Sequence, residues 1–252
     1  HSILVQPAEL VIGLANSMPE NVQVFESSMV TDVDFGPPHT IRTASGSVRS
    51  PSLVIAANGF GEGFGLFKNS LIPLITWGSM TRPLSDDEVA ALGGQENYGI
   101  IPAHPAGTTV RRRPDNRILI RNQYTFSRRS SVTKGLAAVK RIHEKSFRNR
   151  YPMLENVEFE YSWGGALALS RNGEGVCGSV ADGVWATMAY QGTGMAKGTI
   201  SGKYLAEHML GDDDPLMGLV AGAPSRNFPD PFNRWGVRMN SRWRRWQAGL
   251  EE

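Results

Sequence analysis

Gly192 and Gly194 lie between an apolar run and a long helical stretch, and that arrangement can hold negative charge. Val184 to Tyr190 reads as a strand, Gln191-Gly-Thr-Gly194 as a tight loop, and Met195 to Leu210 as a helix closed by Gly211 and Asp212 to Asp214. Glycine lets backbone approach a ligand closely. The first turn of a helix offers unpaired N–H groups and the positive end of its dipole, which stabilises an anion by about 0.3–1 kcal/mol. An ordinary strand-to-helix turn with glycines for packing is the alternative, and the spacing leaves both open.

Other chemistry-bearing residues read more plainly. Gly173-Glu-Gly-Val-Cys-Gly178 matches G-x-G-x-x-G literally. A dinucleotide loop needs a strand before it and a helix starting inside it, whereas Ser179 to Gly183 reads as a turn before another strand. Gly59 to Gly65 is also glycine-rich but has no glycine at the sixth position; it follows an apolar run, so a backbone contact near Asn58-Gly59 is expected. Cys177 reads as a small buried residue rather than a nucleophile. Arg111 to Arg113 and Arg117 flank a hairpin, with solvation their default role and a carboxylate contact the minority one. His104 reads as a loop residue. With five histidines lacking HxxxH spacing and one cysteine, no metal centre and no internal disulfide are expected.

These residues must be positioned by a chain of 252 residues, 40% hydrophobic, with 26 basic against 24 acidic side chains. That suffices for one or two cores and does not suggest a nucleic-acid binder. No apolar run approaches the length of a membrane span, and no secretory leader pattern opens the chain. A cytoplasmic location is the expectation.

Pro7 to Asn16 reads as a proline-led helix, with Val22 to Glu26 an alternating strand after it. Met29 to Phe35, His39 to Thr43 and Ser47 to Arg49 form a meander. Leu53 to Ala57 suits a strand buried on both faces of a parallel sheet. A different pattern follows: strands at Ile75 to Pro83, Tyr98 to Ile101, Thr108 to Arg113 and Arg117 to Asn122, with a turn at Pro114-Asp-Asn116. A capping box starts a short helix at Ser85. A helix from Ser131 to Arg150 places Leu136, Val139, Ile142 and Phe147 near one face. After Trp163-Gly-Gly165 the first pattern returns. In the tail, Trp235, Met239, Trp243 and Trp246 share a helical face flanked by arginines. Docking of that stripe on the chain itself or on a partner is the favoured reading; a membrane surface or RNA are the alternatives.

Taken in order, several segments resemble the FAD-dependent oxidoreductases that include D-amino-acid oxidase, glycine oxidase and sarcosine oxidase, most nearly the γ-glutamylputrescine oxidase branch. They are Gln6 to Leu14, Glu26 to Val30, Leu53 to Gly59, Thr81-Arg-Pro-Leu84, Thr109 to Arg121, Trp163-Gly-Gly165 and Tyr190 to Gly198. The resemblance implies a fold of α/β plus α+β type: an FAD-binding Rossmann-like lobe, lacking its N-terminal βαβ unit, with an inserted antiparallel substrate lobe. The implied division is 1–60 and 162–215 for the FAD lobe, 61–161 for the substrate lobe, and 216–252 for a Trp/Arg-rich tail.

It also implies cofactor contacts at Val30, Ala57, Asn58, Gly59, Gly165, Gly192, Thr193, Gly194, Met195 and Ala196, and substrate-side roles for Trp77, Tyr98 and Gln191. The loop at Gly192 would suit the negative charge of reduced flavin at N1 and the C2 oxygen. Two departures matter. Ala196, followed by Lys197, stands where sarcosine-oxidase-like members carry lysine, which puts a carboxylate clamp there in doubt. Glycine stands near Gly164 where some members attach FAD through cysteine, so non-covalent FAD is expected.

The activity implied is oxidation of a C–N bond in an amine or amino acid, with hydride passing to flavin, imine hydrolysis and reoxidation by oxygen to give hydrogen peroxide. No catalytic side chain is assigned. A second chain carrying the G-x-G-x-x-G segment, cut from the same precursor before His1, is the expected partner, and activity requires it. A dehydrogenase subunit delivering electrons to a quinone or protein, and a non-catalytic subunit without cofactor, are the alternatives.

Overall fold

The computed structural model describes residues 3–127, 135–212 and 214–249. In chain order the first elements are α1 (Pro7–Asn16), β1 (Val30–Asp34), β2 (His39–Thr43), β3 (Ser47–Ser50), β4 (Leu53–Ile55), β5 (Leu71–Thr81), α2 (Asp86–Leu92), β6 (Tyr98–Ile100), β7 (Thr109–Arg112) and β8 (Ile118–Phe126). Then follow α3 (Leu136–Arg150), β9 (Phe159–Ser170), β10 (Val176–Ala181), β11 (Val184–Met188), α4 (Gly194–Met209) and α5 (Phe232–Ala248). They form two units, His1–Ile72 with Ala168–Asn227, and Pro73–Leu167 with Phe228–Glu252. The boundaries thus fall inside β5, at Pro73, and inside β9, between Leu167 and Ala168. The C-terminal helix belongs to the second unit instead of standing apart as a tail.

In the first unit β1, β2 and β3 make an antiparallel meander. A second sheet has the order β10-β11-β4, with β11 antiparallel to β10 and parallel to β4. Its core gathers Ile55, Leu71, Ala168, Val176, Val184, Ala186 and Met188. Pro7 opens α1 at a position where its missing N–H costs nothing, and the Gln6 side chain accepts the Ala8 N–H. No residue of α1 is buried. Two expectations change here. Residues 22–25 form no strand, although they alternate, because among the described residues no neighbouring strand pairs with them; the Val22 N–H turns back to the Pro19 carbonyl, and Val24 and Phe25 are exposed. β4 is an edge strand, and Val54 is 42% exposed, so the strand is covered on one face rather than on both.

The second unit holds a five-stranded sheet, order β6-β7-β8-β5-β9, antiparallel from β6 through β5. Its main core joins Val110, Ile118 and Ile120 of the sheet to Phe147, Tyr151, Leu154 and Phe159. Ser85 and Glu88 form the expected capping box of α2. Arg82 grips the same Glu88 carboxylate with two bonds of 2.7 Å. That grip, with the Ser85 contacts, brings the Glu88 carboxyl down to about 2.

The expected helix from Ser131 starts outside the described residues, and α3 runs Leu136–Arg150. Its buried face is Val139, His143, Ser146 and Phe147, while Ile142 is exposed. The spacing of four and three residues brings Val139, His143 and Ser146 into line. Hydropathy does not reveal this face, because two of its members are polar and satisfied by hydrogen bonds.

Of the two placements expected for the α5 stripe, docking on the chain itself is not what the structure shows, and docking on a partner is untouched by it. The helix docks through Asn233 and Ala248, with Arg245 donating to Gln123 Oε1 at 2.7 Å, and its tryptophans face outward.

Candidate functional site

Because β4 and β11 run parallel, their carboxyl ends meet at one edge of the sheet, where open α/β sheets place ligands. Asn58 follows β4 and Ala189 follows β11. The Asn58 side-chain oxygen accepts the Ala189 N–H at 3.0 Å, tying the two strand ends together. Beyond that tie the backbone turns left-handed at Ala189, Gln191 and Gly192, with φ of 58°, 55° and 81°. Such conformations cost non-glycine residues about 1–3 kcal/mol and persist only where neighbours enforce them.

Gln191 supplies the enforcement. Its amide nitrogen donates to Ser170 Oγ and to the carbonyls of Glu174 and Ala189, at 2.9–3.0 Å, and its oxygen accepts the Ser170 N–H.

The turn delivers the chain into α4. Thr193 stands at the N-cap, but its hydroxyl donates to the Tyr190 carbonyl at 2.9 Å, and no side chain caps the helix. Its first turn carries no acidic residue. Gly192, Thr193, Gly194 and Ala196 are exposed, Met195 is half-buried, and the space where a Gly192 side chain would stand is open. Donors at the start of a sixteen-residue helix, reached over an unobstructed glycine, suit an electron-rich planar ring. By these features the residues fit the flavin-ring end of FAD.

The other expected contacts divide. Ala57 and Asn58 lie at the same strand edge. Gly59 follows them, and its lack of a side chain has a packing reason, since an added Cβ would sit 3.0 Å from the Ala168 Cβ. Val30 opens β1 in the separate meander. Gly165 is on β9 in the second unit, with nothing within 4 Å of an added Cβ. Its neighbour Gly164 is different: a Cβ there would come within 2.9 Å of Ile75 and the Trp77 ring.

Trp77 itself is 1% exposed and donates to Thr125 Oγ1 at 3.2 Å, so it supports the sheet from inside. Tyr98 is half-buried with its hydroxyl 3.3 Å from that of Tyr151.

The literal G-x-G-x-x-G forms no phosphate loop. Gly173 lies in a turn and the strand β10 begins at Val176, with no helix after it. Cys177 is buried within that strand, its thiol directed at the Ser201 carbonyl, and burial pushes its pKa up, which opposes the thiolate. Among the described residues no group of three or more His, Cys, Asp or Glu could hold a metal.

The arginines also sort themselves. Arg112 is 1% exposed and donates to the carbonyls of Gly93 and Gln95. Arg113 pairs with Asp115, and Arg117 with Glu160. Arg121 has no signal in the sequence beyond its place on a strand. It is half-buried, donates to Thr109 Oγ1 at 2.8 Å, and has no carboxylate partner among the described residues. Burial holds its pKa below the usual arginine value. It stands opposite Gly78, whose bare Cα is covered by the Trp163 ring, so Arg121 and Trp163 share a face of the sheet. A guanidinium placed this way can take a bidentate carboxylate.

Known proteins resemble this chain in sequence and in fold. Gamma-glutamylputrescine oxidoreductase of Escherichia coli is 26% identical over 243 residues, covering 92% of this chain and 55% of that protein. The Haemophilus influenzae protein named "Probable oxidoreductase OrdL" is 27% identical over 219 residues, covering 84% and 48%. Among solved structures, glycine oxidase from Geobacillus kaustophilus superposes with a TM-score of 0.63 at 18% identity, over 81% of this chain and 54% of that one, a likeness of fold. The chain spans about half the length of the curated relatives it matches. The family model described as "DAO: FAD dependent oxidoreductase" matches residues 2–208, and this chain belongs to that family of FAD-dependent oxidoreductases.

Proposed function

We propose that this chain forms the flavin-ring end and the substrate lobe of an FAD-dependent amine or amino-acid oxidase. The observation that carries the reading is the uncapped start of α4 behind the left-handed turn, tied by Asn58 to the carboxyl edge of two parallel strands. FAD, when bound, supplies the two-electron acceptor, so no acid–base pair of side chains is needed. The N–H groups of Gly194, Met195 and Ala196 stabilise negative charge, Gly192 and Thr193 admit the ring, and Val30, Ala57, Asn58, Gly59 and Gly165 hold the rest of the cofactor. Arg121 receives a substrate carboxylate. Tyr98 borders the substrate, while Trp77 and Gln191 position from behind.

The overall reaction turns an amine C–N single bond into an imine, with loss of two electrons and two protons. Water then splits the imine into a carbonyl compound and ammonia or an amine, and oxygen takes up the electrons and protons as hydrogen peroxide. The cofactor is held without a covalent bond, because Gly164 leaves no room for a side chain and Cys177 is buried against a carbonyl.

The pyrophosphate loop is carried on a second polypeptide, and the assembly works in the cytoplasm. Support for a covering segment lies in the exposed apolar residues of α1 and in the open edge of β4.

Visible absorbance of native material tests the reading. Flavin bands that bleach anaerobically with an amine, and release of flavin on acid precipitation, are expected; no flavin with all natural partner chains present sinks it. Peroxide release against dye reduction separates oxidase from dehydrogenase. Denaturing electrophoresis and intact mass test the second chain, and a single 27.5 kDa species holding FAD refutes it.

A further inference from the structure

We propose that α5 is an interfacial anchor that binds the surface of an anionic phospholipid bilayer. The proposal is independent of the flavin reading. Phe232, Trp235, Met239, Trp243 and Trp246 are each more than half exposed. At about 100° per residue, these five side chains fall within an arc of about 80°. The residues by which the helix docks lie on the opposite side: Asn233 and Ala248 are buried, and Val237, Ser241 and Arg245 are half-buried. The aromatic stripe therefore points directly away from the sheet on which the helix rests.

Such a stripe is costly in water, and five large apolar side chains in one line form a patch of the kind that marks an interaction surface. Its charge says which surface. Between Phe232 and Ala248 there are five arginines, at 234, 238, 242, 244 and 245, and no aspartate or glutamate. Arg242, Arg238 and Arg234 are exposed at four-residue spacing and fall about 20°, 60° and 100° beyond one edge of the stripe, so the charge lies beside it and on the polar side of the helix.

Tryptophan and phenylalanine on one face, arginine beside them and low overall hydrophobicity together describe a helix lying in the headgroup plane. Indole rings favour that depth because one end is apolar and the N–H can reach water or headgroups. Arginine adds attraction to anionic headgroups. The helix has no length of apolar sequence with which to cross, so it lies on the bilayer.

Flotation with vesicles tests this. The protein is mixed at low salt with vesicles of phosphatidylcholine alone, or of phosphatidylcholine and phosphatidylglycerol at about 2:1. The expected result is binding to the mixed vesicles at least about tenfold tighter than to the neutral ones, weakened by salt. A combined Trp235→Ala, Trp243→Ala, Trp246→Ala variant loses binding to both. An Arg234→Gln, Arg238→Gln, Arg242→Gln variant loses only the preference for anionic lipid. Both variants keep the thermal transition, since the altered side chains are exposed.

Three results overturn the proposal: no binding to mixed vesicles, binding unchanged in the tryptophan variant, or equal binding to neutral and anionic vesicles. A dimer seen by light scattering that the tryptophan variant abolishes, without vesicle binding, assigns the stripe to a second copy instead. Retention of RNA by the stripe, again without vesicle binding, assigns it to nucleic acid.

Discussion

In the second unit Ile118, Ile120 and Phe147 close over one another, and none is more than 1% exposed. In the first unit the ten residues of α1 bury none of their side chains, and Val54 of the edge strand β4 is 42% exposed. One unit covers its own core, and its exposed apolar stripe on α5 lies away from that core. The other carries the loop with ligand chemistry and leaves apolar faces open. The five-stranded sheet is thus closed over its core, whereas the first unit leaves apolar side chains of α1 and β4 uncovered. Exposed apolar surface of that extent marks an interface.

Substitutions probe this contrast directly. The largest effect is expected at the closed core: Phe147→Ala should destabilise the second unit by about 3–5 kcal/mol, through lost burial and a cavity. Ile12→Ala, on α1, should change the first unit by no more than about 0.5 kcal/mol in this chain. Hydrogen exchange under denaturant reads the two units separately, and equal losses would break the comparison.

The next largest concerns His143. It is wholly buried, with Nδ1 2.7 Å from Ser79 Oγ, and burial pulls its pKa from 6.5 to about 4. The unfolded chain therefore takes up the proton first as pH falls. Stability from this group is fully present above about pH 6.5 and is lost as pH drops through about 4, by roughly 3 kcal/mol. Denaturant midpoints across that window should fall for the wild type, and the slope should flatten for His143→Gln.

A smaller effect is expected for Gly164→Ala. The added methyl would meet Ile75 and Trp77 at 2.9 Å, for a cost of about 1–3 kcal/mol in the second unit. A thermal transition unchanged from wild type would mean that the Trp77 ring yields. A further, smaller effect is expected at the strand tie of the first unit. Asn58→Ala removes the acceptor of the Ala189 N–H, costing about 1 kcal/mol, and flavin affinity should fall with it. A midpoint shift without loss of flavin would separate the tie from the cofactor site.

Much of this architecture was legible locally. The capping box at Ser85 and Glu88, the proline start at Pro7, the turn at Pro114 to Asn116 and the strand–loop–helix at Val184 to Leu210 each rest on interactions between residues close in sequence. The strand expected at Val22 to Glu26 failed for the opposite reason, since alternation only permits a strand and a neighbour has to accept its hydrogen bonds. Ile142 was expected on the buried face and His143 stands there instead, because a histidine satisfied by Ser79 costs less to bury than its hydropathy suggests. The outward face of α5 was equally hidden, for amphipathicity shows that a helix has two faces without saying which one meets the fold.

For the candidate site, the glycines at 192 and 194 and the helix behind them could be read directly from the chain. That Gln191 is a brace, that Trp77 lies inside the sheet and that Arg121 lacks a carboxylate could not. By itself the sequence determined the local turns, the caps, the literal motif that is not a phosphate loop, and the family. Only tertiary structure decided which arginine stands half-buried, which strand is an edge and which helical face is open. The physical reason is that burial and pairing are set by residues far away in the chain, and it is burial and pairing that turn a side chain's chemistry into a role.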